Sequence, residues 1–188
     1  MDRRFVVVSG LPGSGKSTVS RRLSPLLGLP VIDKDDILDE LFDARGIGDM
    51  AWRRLLSRES DALFRDRAEH SSGALLVSFW HQCGMPADSG TPTDWLQQLS
   101  PRIVNLHCEC PVPTAAERFA QRTRHPGHLD ELKSDDENMR TIRAVADLKP
   151  IQVGKRVYCD TSFDTDVVPL AKTISEALDD RTIHITGQ

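Results

Sequence analysis

The run Gly10-Leu11-Pro12-Gly13-Ser14-Gly15-Lys16-Ser17-Thr18 decides the reading of this chain. Its first eight residues fit G-x-x-x-x-G-K-[ST] without a mismatch. Glycines let a backbone close around an anion with its N–H groups pointing inward, and a helix opening at the lysine adds its positive dipole end. Both flanks agree with that reading. Upstream, Phe5-Val6-Val7-Val8 is short, β-branched and continuously apolar, as a strand buried on both faces is. Downstream, Lys16–Leu27 carries apolar residues at Val19, Leu23, Leu26 and Leu27, a helical spacing. Gly10 through Thr18 are therefore expected to bind the phosphates of ATP or GTP. Lys16 should reach the outer phosphates, and Ser17 should ligate Mg2+.

Four more strands are expected at Pro30–Asp33, Ala74–Trp80, Ile103–Cys110 and Arg156–Asp160. Helices are expected at Asp36–Asp43, Asp49–His70, Thr114–Arg124, Glu131–Leu148 and Asp166–Leu178, with Trp52, Leu55, Leu56, Leu63 and Phe64 on the inner side of the longest. Strands alternating with helices read as an α/β fold: three layers, a five-stranded parallel sheet with helices on both faces. A single domain over residues 1–188 is expected, with a helical lid at about residues 118–135. Gly84–Thr93 is rich in Gly, Pro, Ser and Asp and reads as a loop.

Composition narrows the function classes. Hydrophobic residues make up 39% and charged residues 28% of 188, an ordinary globular balance. A net charge of -4 speaks against a general nucleic-acid binder, which normally carries a basic excess. No apolar stretch approaches the ~20 residues that span a bilayer, and Met1 to Arg4 lead into no secretory signal. Four cysteines make no disulfide framework. Cys108 and Cys110 are expected on one strand face as buried thiols, with His107 opposite, so no metal site is expected there. A cytoplasmic protein is the expectation. Nothing in the pattern speaks to oligomeric state.

The type of phosphate-binding protein is narrowed by what is missing. The chain contains no N-K-x-D tetrapeptide of guanine-specific GTPases and no LSGGQ-like run. A small-molecule or nucleic-acid kinase remains, using ATP by default. Val31-Ile32-Asp33-Lys34-Asp35-Asp36 puts carboxylates at the carboxyl end of a parallel strand, where such sheets bind ligands. A carboxylate there can take the proton of an attacking hydroxyl or hold magnesium through water. Asp36 reads as a helix N-cap.

Here the chain resembles the kinase domain of bacteriophage-type polynucleotide kinase, which shares the form G-x-P-G-S-G-K-S-T and a strand-end acid pair. The resemblance implies Asp35 as general base; Asp33 reads equally as a magnesium-water ligand beside Ser17 or as a member of a polar network. An arginine that the same pattern puts three residues later is Leu38 here, which speaks against a polynucleotide acceptor. Glu117-Arg118 through Arg122, Arg124 and Gly127-His128 resemble the lid of small P-loop kinases, and the G-H step resembles gluconate kinases. Shikimate kinases and chloramphenicol phosphotransferases share the same layout. The lid resemblance implies Arg122, then Arg118, as the arginines that hold charge on the transferred phosphoryl group, both on one helical face. Arg124 reads as a basic helix end. Trp80 and His81 are candidates for the acceptor pocket, with Trp52, Arg53 and Arg54 from the long helix opposite; core packing is an equal reading for Trp80, and a structural histidine is the commoner reading for His81. The resemblance places the stretch Asp160–Asp164 near the nucleotide base, with a plain strand-to-helix connector an equal reading.

The reading at this stage is an ATP- and Mg2+-dependent phosphotransferase acting on a hydroxyl of a small molecule (sugar acid, nucleoside or nucleotide, or antibiotic-like). The alternatives are a polynucleotide 5′-hydroxyl kinase and an ATP-binding regulatory protein that lacks an acceptor.

Overall fold

The structure is a computed structural model that describes residues 3–100 and 102–180. Strands β1 (Arg4–Gly10), β2 (Val31–Asp33), β3 (Gly73–Val77), β4 (Arg102–Glu109) and β5 (Lys155–Asp160) form one parallel sheet in the order β2-β3-β1-β4-β5. The first strand is central, so the glycine loop leaves the sheet at its middle. Helices α1 (Lys16–Leu27), α2 (Lys34–Arg45), α3 (Met50–His70), α4 (Leu96–Leu99), α5 (Val112–Gln121), α6 (Asp135–Ala146) and α7 (Val167–Asp179) surround it.

Period-2 alternation along the strands builds two apolar layers. Val6, Val8, Leu75, Val77, Val104, Leu106 and Val157 face α1 and α7 on one side. Phe5, Val7, Ala74, Leu76 and Ile103 meet Phe64, Ala68, Trp80 and Trp95 on the other.

Several expected boundaries shift, each for a local reason. Helix α2 begins at Lys34 because Asp33, not Asp36, is its N-cap: the Asp33 side chain accepts from the Asp35 N–H. Asp36 instead pairs with Arg21 at 3.0 Å. Strand β3 stops at Val77, short of Trp80, where residues 78–91 turn into a loop closed by an isolated bridge between Trp80 and Thr91. The helix expected at Glu131–Leu148 is interrupted: a 3-10 turn covers Asp130–Leu132, and α6 starts behind a Ser134/Glu137 capping box. Leu55 and Leu26 are exposed rather than inward. The inner stripe of α3 runs through Leu56, Ser60, Phe64 and Ala68. Cys108 and Cys159 are buried neighbours in the β4–β5 register, whereas β4 ends before Cys110, which is only half-buried.

Candidate active site

The glycine loop wraps as its composition requires. Gly13 sits at φ 79, and a Cβ there would stand 2.1 Å from the Ala115 carbonyl oxygen, so α5 packs against the loop only because residue 13 has no side chain. Lys16 opens α1 and donates from Nζ to the carbonyls of Leu11 (2.7 Å) and Gly10 (3.0 Å). Burial lowers its pKa, against the pull of Cys108, Asp35 and Asp33. The lysine therefore stands across the loop mouth with a desolvated charge suited to a phosphate.

At the carboxyl end of β2, Ser17 Oγ donates to Asp33 Oδ2 at 2.6 Å. Asp33 is buried, and desolvation pushes its carboxyl up to about 6 despite the Ser17 hydrogen bond. A hydroxyl and a carboxylate side by side, the latter short of positive charge, are the hard oxygen donors that Mg2+ prefers, so these two residues fit that ion.

Asp35 is the next carboxylate along. Its side chain is 52% exposed at the mouth of the cleft and meets Arg124 Nη2 at 2.8 Å. Burial in the cleft would raise its pKa, but Arg124, His128, Arg122 and Lys16 together outweigh that and hold it below the usual carboxylate value. It is thus held in its ionised form.

The segment after α5 brings the arginines in. Helix α5 ends at Gln121, and Arg122 is already extended at φ -71, ψ 138. Arg118 and Arg122 consequently do not share a helical face. Arg118 turns to the β5–α7 loop and donates to the carbonyls of Thr161 (2.7 Å) and Ser162 (3.1 Å), while Thr161 Oγ1 donates to the Ser14 carbonyl of the glycine loop at 2.8 Å. Arg122 lies over the Phe119 ring at 3.8 Å and 3.9 Å from Asp130. Burial and the neighbouring Arg124 push its pKa down to about 10, and its Nε is buried without a hydrogen-bond partner among the described residues. Arg124, read from sequence as a helix end, bridges Asp35 and Asp130. His128 is buried and meets Asp39 at 2.7 Å, and His125 stacks on Phe42 with ring centroids 5.2 Å apart, so residues 125–128 dock on α2.

The acceptor candidates fare differently. Trp80 is a core residue: it is 2% exposed, its Nε1 donates to the Val8 carbonyl at 2.8 Å, and it packs on Phe64 and Trp95. Its bulk and its single donor are both satisfied inside, which leaves no face for a ligand. His81 Nδ1 bonds the Ser89 carbonyl at 2.7 Å and pins the 84–93 loop. Arg54 is exposed; its neighbour Arg53 turns inward and donates to the His128 carbonyl at 2.8 Å. Arg53, expected from sequence opposite the acceptor pocket together with Arg54, lies three residues before Leu56 on the buried stripe of α3.

Comparison with known proteins agrees with this fold. A family model described as an AAA domain matches residues 6–141. A shikimate kinase from Halorhodospira halophila is 31% identical over 184 residues, 94% of this chain and 93% of that one. The chain belongs to the P-loop kinase family. A second shikimate kinase, from Paracidovorax citrulli, is 45% identical over 60 residues, and that match spans only 32% of this P-loop kinase and 30% of the relative. Among solved structures, a protein of Chloroflexus aurantiacus provisionally called a kinase superposes with a TM-score of 0.77 at 24% identity, covering 95% of this kinase and 100% of that chain, a likeness of fold. The kinase uses a nucleotide and a small-molecule acceptor. Among its described residues, no helix is long and apolar enough to cross a membrane.

Proposed function

We propose that this kinase transfers the γ-phosphoryl group of ATP to a hydroxyl of an anionic small molecule of the sugar-acid class, with Asp35 as general base. The observation that carries this reading is the Arg124–Asp35 contact, which brings the arginine segment onto the acid end of β2 directly beside Lys16. Asp35 accepts the proton of the acceptor hydroxyl, and the freed oxygen attacks the γ-phosphorus in line. The bond from phosphorus to the β,γ-bridging oxygen breaks, and ADP leaves. Lys16 and Arg122 hold the charge that builds on the phosphoryl oxygens, and Arg124 passes from Asp35 to that charge as the site fills. Ser17 and Asp33 are the residues suited to hold Mg2+, which when bound neutralises phosphate charge. Thr161 and Ser162, clamped by Arg118, stand where the base side of the nucleotide is expected.

The charge balance supports an anionic acceptor. Arg53, Arg122 and Arg124 share one region in which Asp35 and Asp130 are the carboxylates that act on Arg53 and Arg122, and Arg53 is itself depressed by burial and by Arg124. Phosphate takes part of this excess, and a carboxylate on the acceptor takes the rest. Relatives named shikimate kinase support the same class.

The test is ADP release from Mg-ATP in the presence of shikimate, gluconate, nucleosides, aminoglycosides, chloramphenicol and 5′-hydroxyl oligonucleotides. Stimulation by a carboxylate-bearing polyol supports the reading. Stimulation confined to a neutral or cationic compound, or to an oligonucleotide, contradicts it.

A further inference from the structure

Between the two functional carboxylates stands a lysine that points away from them. Lys34 is the first residue of α2, and its Nζ meets Asp61 Oδ1 of α3 at 2.5 Å, with both side chains only 11% exposed. Ser57 Oγ lies 3.4 Å from the same ammonium. A surface pair of this kind contributes little, but a pair this covered is costly to form and strongly destabilising to break on one side only.

Asp61 does more than neutralise Lys34. Its Oδ1 also accepts from Thr91 Oγ1 at 2.9 Å, and that hydroxyl bonds Ser78 Oγ at 2.6 Å just past β3. Thr91 is in turn stitched to the chain beside it, its N–H on the Phe79 carbonyl and its carbonyl on the His81 N–H, both at 2.8 Å. Arg58 reaches Asp61 Oδ2 at 3.4 Å and also donates to the Asp88 carbonyl. One carboxylate thus joins the β2–α2 junction, helix α3, the end of β3 and the loop at residues 78–91.

We infer that Lys34 and Asp61 form a positioning pair that fixes Asp35 and residues 78–91 as one rigid unit. The function of the pair rests on the reading of Asp35 as base. At the β2–α2 junction Asp33 turns to Ser17 of the glycine loop and Asp35 to Arg124, while Lys34 goes to α3. Anchoring Lys34 therefore limits rotation of the junction that aims Asp35. A displacement of about 1 Å at a reacting group can cost ~100-fold in rate, so such an anchor bears on turnover rather than on nucleotide affinity.

The test uses the full chain carrying Lys34→Met together with Asp61→Asn, which removes both charges and leaves Thr91 an amide oxygen to donate to. A second variant, Asp61→Glu, keeps the charge and serves as the conservative rescue. Amide hydrogen exchange is read at Asp35, His81 and Thr91, with Val19 of α1 as internal reference. The double variant should lose protection at all three amides by ~10-fold or more while Val19 keeps its own, and Asp61→Glu should restore part of it. Loss at Val19 to the same degree indicates a general weakening of the fold and overturns the inference, as does unchanged protection at Asp35 and Thr91. With shikimate as the probe acceptor, kcat should fall ~30-fold or more with KM for ATP within about twofold. Should shikimate not be phosphorylated, the exchange pattern decides. An Asp35→Asn variant with full turnover overturns the base assignment alone and leaves the exchange result standing.

Discussion

Replacing Arg124 by Gln separates stability from catalysis at this site. Its guanidinium is 15% exposed and bridges Asp35 at 2.8 Å and Asp130 at 3.2 Å. Two unit charges about 4 Å apart attract by about 4 kcal/mol at an effective dielectric of about 20. Asp35 is half open to water, however, and Asp130 is 33% exposed, so screening and side-chain entropy reduce the folded-state gain to about 1 kcal/mol or less. For a chain of this size that is a fall in Tm of no more than about 3 °C. In the loaded site, with water displaced by phosphate and acceptor, the same arginine faces developing charge and is worth ~100-fold to ~1000-fold in turnover. Arg124→Gln should therefore melt close to the parent, bind Mg-ATP within a few-fold, and lose at least ~100-fold in kcat by coupled ADP release. A loss of less than about fivefold, or a fall in Tm that accounts for the lost activity, refutes the reasoning.

Lys16→Ala should abolish turnover with little change in Tm, since the side chain bonds only loop carbonyls; a variant that still turns over above ~1% of parent contradicts this. Asp33 gives a pH signature in metal-free buffer. Its folded carboxyl titrates at about 6 and its unfolded one near 3.8, so the folded state holds the extra proton between those values, and stability falls as pH rises through them. Urea titrations should find Asp33→Asn gaining on the parent from pH 4 to pH 7 by on the order of 3 kcal/mol at most, and a constant difference contradicts the burial account. Arg118→Ala, which removes two hydrogen bonds to the Thr161 and Ser162 carbonyls, should raise KM for ATP by ~10-fold while changing kcat far less. Trp80→Phe should cost about 2 kcal/mol in denaturant titrations, by leaving the Val8 carbonyl unpaired and a void beside Phe64, with KM for acceptor unchanged.

The fold was legible because its signal is periodic. Continuous apolar strands, a glycine loop in register with strand and helix, and alternating elements point to a parallel five-stranded sheet, whereas the strand order with β1 in the middle is not written in the periodicity. Lys16, Ser17 and the carboxylates Asp33 and Asp35 could be named as candidates because each is a fixed number of residues from the loop or at a strand end, and the resemblance singled out Asp35 among them. The acceptor side was not, because it depends on where chain segments stop. Arg122 and Arg124 take their positions from an α5 that ends at Gln121 rather than at Arg124, and no propensity marks that end sharply. Trp80 turned inward because its indole N–H finds the Val8 carbonyl of a central strand, a contact between residues 72 apart that no local pattern encodes. The Lys34–Asp61 pair likewise joins two charges that each look solvated when read along the chain.

The most direct test of the central claim compares parent and Asp35→Asn for Mg-ATP affinity by calorimetry and for ADP release with a carboxylate-bearing polyol. The account predicts equal affinity for Mg-ATP and loss of nearly all acceptor-dependent turnover in the variant. Full acceptor-dependent turnover in Asp35→Asn would contradict it and move the base to another group at the same strand end.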